Sequence, residues 1–178
     1  VVQAESDLSG YRKFISITEV LEKGRAILLP NEVSERGLAI KDGIIRDTLG
    51  ARNLTSKEIV IQGDAGMSTG ILMRSGLIEI EGDAGPNTGV LMRGGRIVVL
   101  GRTGDFTAAE MRAGEIIIEG DAGSFACARM RGGAVYARKA KSVPPARMNS
   151  PDDKEQGMLS RVLGIPLLHA MMYRKFCL

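Results

Sequence analysis

Apolar residues between Gly63 and Arg138 recur with a step of nineteen. Each copy carries one alternating run: Leu77-Ile78-Glu79-Ile80-Glu81, then Arg96-Ile97-Val98-Val99-Leu100, then Glu115-Ile116-Ile117-Ile118-Glu119. Period two places Ile78, Ile97, Ile116 and Val135 on one face, with Ile80, Val99, Ile118 and Ala137 beside them. β-Branched residues in such runs predict strands of about five residues. Met73, Met92, Met111 and Met130 keep the same step, each followed by an arginine. Glycines keep it at three registers: Gly63, Gly82, Gly101 and Gly120; Gly66, Gly85, Gly104 and Gly123; Gly76, Gly95, Gly114 and Gly133.

Nineteen residues with a single hydrophobic strand cannot bury a face alone. If each copy is one turn of a coil, equivalent positions stack about 4.8 Å apart and isoleucine meets isoleucine, methionine meets methionine. Gly70, Gly89, Ala108 and Cys127 then form a ladder of small residues where the coil must stay narrow. The other glycines mark corners that need positive φ or close backbone approach. A leucine-rich repeat needs leucines and asparagines absent here, a propeller blade needs about twice the period, and a doubly wound fold needs crossover helices that the period has no room for. An all-β solenoid, a parallel β-helix with 19-residue turns, is what remains.

The flanks depart from the repeat. Residues 1–43 form an N-terminal cap region, with a short helix predicted over Ile15 to Gly24, a strand at Ala26-Ile27-Leu28-Leu29 stopped by Pro30, and a turn at Asp42-Gly43. Residues 44–138 hold the β-helix, beginning with a worn copy: Ile59 and Ile61 lie nineteen before Ile78 and Ile80, while Leu54 replaces the methionine, Thr55 the arginine and Lys57 the third glycine. Residues 139–178 are a basic, proline-rich linker, expected to be extended, and then two short helices broken by Gly164 and Pro166, which cap the open coil end. Tyr11-Arg12-Lys13-Phe14 recurs as Tyr173-Arg174-Lys175-Phe176, a coincidence that the 24 basic residues make easy.

Composition narrows the chemistry. A net charge of +3 and 4% aromatics argue against nucleic acid. Cys127 and Cys177 form no metal or redox motif; with no secretory signal pattern and no apolar run of about 18 residues, the expectation is a soluble cytoplasmic protein without a membrane partner. Gly82-Asp83-Ala84-Gly85-Pro86-Asn87-Thr88-Gly89 resembles a phosphate loop, but no Gly-Lys-Ser/Thr follows, so its glycines read as corners. No cluster has metal spacing and no cofactor is expected. Arg74, Arg93, Arg112 and Arg131 are the candidate binding residues. Four stacked guanidinium groups repel unless they are neutralised, either by nearby aspartates and glutamates or by a bound anion or acidic partner. Asp64, Asp83 and Asp121 form a partial acidic ladder, broken by Arg102. His169, the single histidine, lies in the apolar C-terminal segment, and no Gly-x-Ser-x-Gly elbow is present to serve a hydrolase triad.

The Gly-x-x-Gly phrases followed by Met-x-x-Gly-x-Ile-x-Ile resemble the GXGXG repeat found in one of the subunits of formylmethanofuran dehydrogenase and in the C-terminal domain of the glutamate synthase large chain. The resemblance spans residues 44–138. It implies a right-handed parallel β-helix that supplies no catalytic residue and serves as a spacer and packing surface within an oxidoreductase complex. There, metallopterin or flavin and amidotransferase components do the chemistry. The implied partners are those other subunits, or further copies of this chain. Some stand-alone relatives carry an esterase label, which leaves a small-ester hydrolase as an alternative, beside an anion-binding module built on the arginine ladder. The resemblance does not extend to the N-terminal region or to the proline-rich linker with its helical tail.

Overall fold

The computed structural model describes residues 25–28, 47, 49–52, 58–61 and 63–178. The helix expected over Ile15 to Gly24, the Asp42-Gly43 turn, Leu54, Thr55, Lys57 and the first Tyr-Arg-Lys-Phe sequence lie outside these residues.

The chain is a parallel β-helix. Strands β1 (Arg25–Leu28), β2 (Glu58–Ile61), β3 (Leu77–Ile80), β4 (Arg93–Val99) and β5 (Ala113–Ile118) stack in parallel, followed in the sheet by β7 (Ala134–Ala137). Their register is the one the period predicts, with Ile59, Ile78, Ile97, Ile116 and Val135 opposite one another in succession. Two further ladders tie the turns together. Parallel bridges join Ala65, Ala84, Thr103 and Ala122. On the remaining side, the N–H groups of Gly89, Ala108 and Cys127 donate to Thr69, Thr88 and Thr107 of the preceding turn, at 2.8, 2.9 and 2.8 Å. The isoleucine and methionine ladders fill the interior, where Met73, Met92 and Met111 are wholly buried. Burying each such side chain contributes roughly 1.5–3 kcal/mol.

Aspartates fasten one corner. The Asp64 carboxylate accepts the N–H of Asp83, Asp83 accepts that of Arg102, and Asp105 accepts that of Ser124, each at 2.7–2.8 Å. These carboxylates brace the backbone of the next turn instead of balancing the arginine ladder.

The first turn differs in length. Gly70 donates to Leu49, and Gly50 and Arg52 (φ 66° and 55°) take the places of Gly70 and Leu72 (φ 69° and 59°), so this corner stands twenty residues before its counterpart. Ile59 still pairs with Ile78, nineteen residues on. One extra residue therefore lies between Arg52 and Ile59, the stretch in which a fixed step of nineteen assigned Leu54 to the methionine position.

The C-terminal segment closes the coil with a strand as well as helices. Sequence periodicity ends at Arg138, but β6 (Ala122–Ala126) still pairs in parallel with β8 (Ala140–Ser142), so the supposed linker begins as a further partial turn. After β9 (Arg147–Asn149) come helix α1 (Asp153–Leu163), the short helix α2 (Leu167–Ala170) and β10 (Arg174–Cys177). Strand β10 runs antiparallel on β7 and carries β9 on its other edge, and its Phe176 extends the coil interior. The helices lie against the outer face of the sheet: Leu159, Leu163 and Ala170 pack with Val98, Ile117 and Tyr136. Helix α1 starts in a capping box between Asp152 and Glu155 and stops at Gly164 in the left-handed conformation.

Candidate functional site

The arginine ladder is regular and exposed. The N–H groups of Arg93, Arg112 and Arg131 donate to Met73, Met92 and Met111 one turn earlier, which stacks the side chains in register. All four guanidinium-bearing residues, Arg74 included, are exposed, and among the described residues none pairs with a carboxylate. Arg74 and Arg93 border a depression of about 320 Å³ with Arg52 and Leu72. Nothing gathers Arg112 and Arg131 into it. The neighbouring Arg96 is paired instead, its Nε 2.9 Å from Glu115.

A second basic locus exists only in the folded chain. Arg102 and, two turns further along the same corner, Arg138 and Lys139 meet Arg174 from β10 around a cleft of about 660 Å³. Asp121 is the one carboxylate in its lining, and Met148, Met172 and Phe176 form the apolar part. Arg138 lies 3.9 Å from Glu119 and 6.0 Å from the Tyr173 ring centre; the Tyr173 hydroxyl, and then Glu119 and Asp121, hold its guanidinium above its ordinary pKa. Tyr173 is itself fixed, its hydroxyl donating to the Glu119 carbonyl at 2.9 Å. The sequence signal for this site was Arg102 interrupting the acidic ladder, since Arg174 lies far along the chain.

The cap is anchored by a polar cluster under α1. Tyr136 donates to Glu155 at 2.8 Å, Lys175 bonds the same oxygen, and the other carboxylate oxygen accepts the Asp152 N–H at 2.9 Å. Burial alone raises the Glu155 pKa, but Lys175, the Asp152 N–H and Tyr136 outweigh it, and the net shift is downward. Burial, and then the bond to Glu155, raises the Tyr136 pKa. On this anchored base sits an apolar surface: Leu167, Leu168, Met171 and Met172 are 54%, 72%, 53% and 66% exposed, with Met148 at 64%. His169 is exposed on the same short helix, and its side chain makes no hydrogen bond to a serine among the described residues. Cys127 is buried in the coil, which pushes its thiol pKa up to about 12. Among the described residues, no group of three or more metal-ligating side chains is assembled, and no helix is long and apolar enough to cross a membrane.

No family model matches the chain. It is similar to an uncharacterized protein of Methanothermobacter thermautotrophicus, 43% identical over 79 residues. That match covers 44% of this chain and 26% of the relative, so the chain spans about a quarter of the relative's length.

Proposed function

We propose that this chain is a non-catalytic β-helix module, a structural subunit or domain of an oxidoreductase complex of the formylmethanofuran dehydrogenase or glutamate synthase kind. The apolar surface of Leu167, Leu168, Met171 and Met172 on the C-terminal cap is the observation that carries this reading. Contiguous exposed apolar side chains on a soluble fold mark interaction sites, and here they ride on a cap held by the Glu155 cluster and by the pairing of β10. The resemblance of the repeat to β-helices that pack against catalytic partners supports another protein of such a complex as the occupant.

The test is coexpression with the flavin- or metallopterin-bearing subunits of such a complex. Stable copurification, lost in Leu168→Asp and Met172→Asp with the melting temperature retained, is the expected result. A concentration-dependent dimer of the isolated chain, dissolved by the same substitutions, would assign the surface to a second copy and remove the partner reading. Stoichiometric cofactor on the isolated chain, or ester turnover by it, would end the non-catalytic one.

A further inference from the structure

We infer that the cleft formed by Arg102, Lys139 and Arg174 is a binding site for the phosphate group of a small organic phosphate. One register of the repeat changes its occupant at this corner. Asp64 and Asp83 occupy it in two turns, each accepting the N–H of the residue one turn later. Arg102 occupies it in the next turn and offers no acceptor. The N–H of Asp121, which by the same register faces the Arg102 side chain, accordingly finds no acceptor among the described residues. One departure from the repeat thus adds a cation and leaves a backbone donor unpaired at the same point, and both residues line the cleft.

The surroundings extend that pair into a site. Lys139 follows on the next turn of the corner, and Arg174 reaches the cleft from β10. Among the described residues none of Arg102, Lys139 and Arg174 is ion-paired, while Arg138 is engaged by Tyr173 and Glu119. Three cations against Asp121 leave an excess near two positive charges, which matches a phosphate dianion better than a carboxylate. Guanidinium forks and an N–H donor suit its three oxygens. The thioethers of Met148 and Met172 line the cleft as well, a surface for the attached organic group. A volume of about 660 Å³ lies within the usual range for small-molecule sites. This inference does not rest on the docking reading, and its test uses the isolated chain.

Calorimetric titration of the chain with phenyl phosphate, inorganic phosphate and benzoate tests it. Phenyl phosphate should bind most tightly, inorganic phosphate more weakly and benzoate weakest, with affinity for the phosphates rising between about pH 5 and 7 as the second proton leaves. Arg102→Asp, which restores the aspartate of the repeat and an acceptor for the Asp121 N–H, should keep or raise the melting temperature while weakening phenyl phosphate at least tenfold. Lys139→Gln, an exposed change, should weaken it several-fold with unchanged melting, and Arg93→Gln on the separate arginine ladder should leave it intact. No binding at millimolar phenyl phosphate, unchanged affinity in Arg102→Asp or Lys139→Gln, or equal loss in Arg93→Gln would overturn the proposal.

Discussion

Gly89 stands against the tip of the Ile116 side chain: a β-carbon on it would lie 2.3 Å from the Ile116 Cδ1. The relationship repeats along the coil, with Gly70 against Ile97 at 2.4 Å. One turn further the glycine becomes Ala108, still at φ 59°, and the residue at the facing register becomes Val135, which has no Cδ1. A methyl group gained on one side of the coil is matched by one lost on the other.

Gly89→Ala should therefore destabilise the fold by about 1–3 kcal/mol, the usual cost of overpacking. Ile116→Val alone should cost about 0.5–1.5 kcal/mol. The double substitution recreates the Ala108 and Val135 pairing and should cost clearly less than the sum of the two. Urea denaturation of the four proteins gives the coupling directly, and strict additivity would mean that the two positions do not share space.

Ile97 and Ile116 are wholly buried in the middle of the inward ladder. Ile97→Asp or Ile116→Asp should each abolish cooperative melting, because a carboxylate there has no partner and burying it costs several kcal/mol or forces it to protonate. Circular dichroism melting curves decide this; a normal transition in both would place the ladder elsewhere.

Glu155 links the cap to acid stability. Its pKa lies below the ordinary 4.5, so the stability it contributes is fully present above that value and is lost as pH falls through the lowered one. Lys175, raised above 10.5 by Glu155, works in the opposite sense and loses its contribution as pH rises through its raised value. Glu155→Gln should cost about 1–3 kcal/mol near neutral pH and flatten the decline in stability below about pH 4.5. Guanidinium melts at several pH values would show it; an unchanged acid limb would mean that Glu155 does not govern it.

Thr103 sits in the ladder that carries alanine at Ala65, Ala84 and Ala122, and its buried hydroxyl has no hydrogen-bond partner among the described residues. Thr103→Val keeps the shape and removes the unmet polar group, so it should raise stability by about 1 kcal/mol. A fall in the denaturation midpoint would reveal a partner for that hydroxyl in solution.

Much of the fold was legible because register repeats. Once Ile78, Ile97 and Ile116 share a face, stacking is the one way to bury them, and the methionine and small-residue ladders follow. The strand expected at Ala26 to Leu29 is present as β1, one residue earlier, at the head of the sheet. The extra residue after Arg52 was not legible, since Ile59 and Ile61 keep the step of nineteen to Ile78 and Ile80 and so carry no mark of an insertion before them. The outward face held a signal that periodicity alone passes over. Val60, Glu79, Val98, Ile117 and Tyr136 share one register, and its last three, apolar in succession, are those that α1 and α2 cover.

The sequence by itself determined the coil, its period, its inward face and its corners, because each is a local choice repeated at neighbouring turns. Tertiary structure alone decided how the end is closed and what gathers there. Antiparallel pairing of β10 carries no period, and it sets Phe176 into the core and Arg174 beside Arg102 and Lys139. The basic cleft depends on that closure: Arg174 meets Arg102 and Lys139 only after the last strand has docked, and no spacing rule along the sequence encodes their meeting.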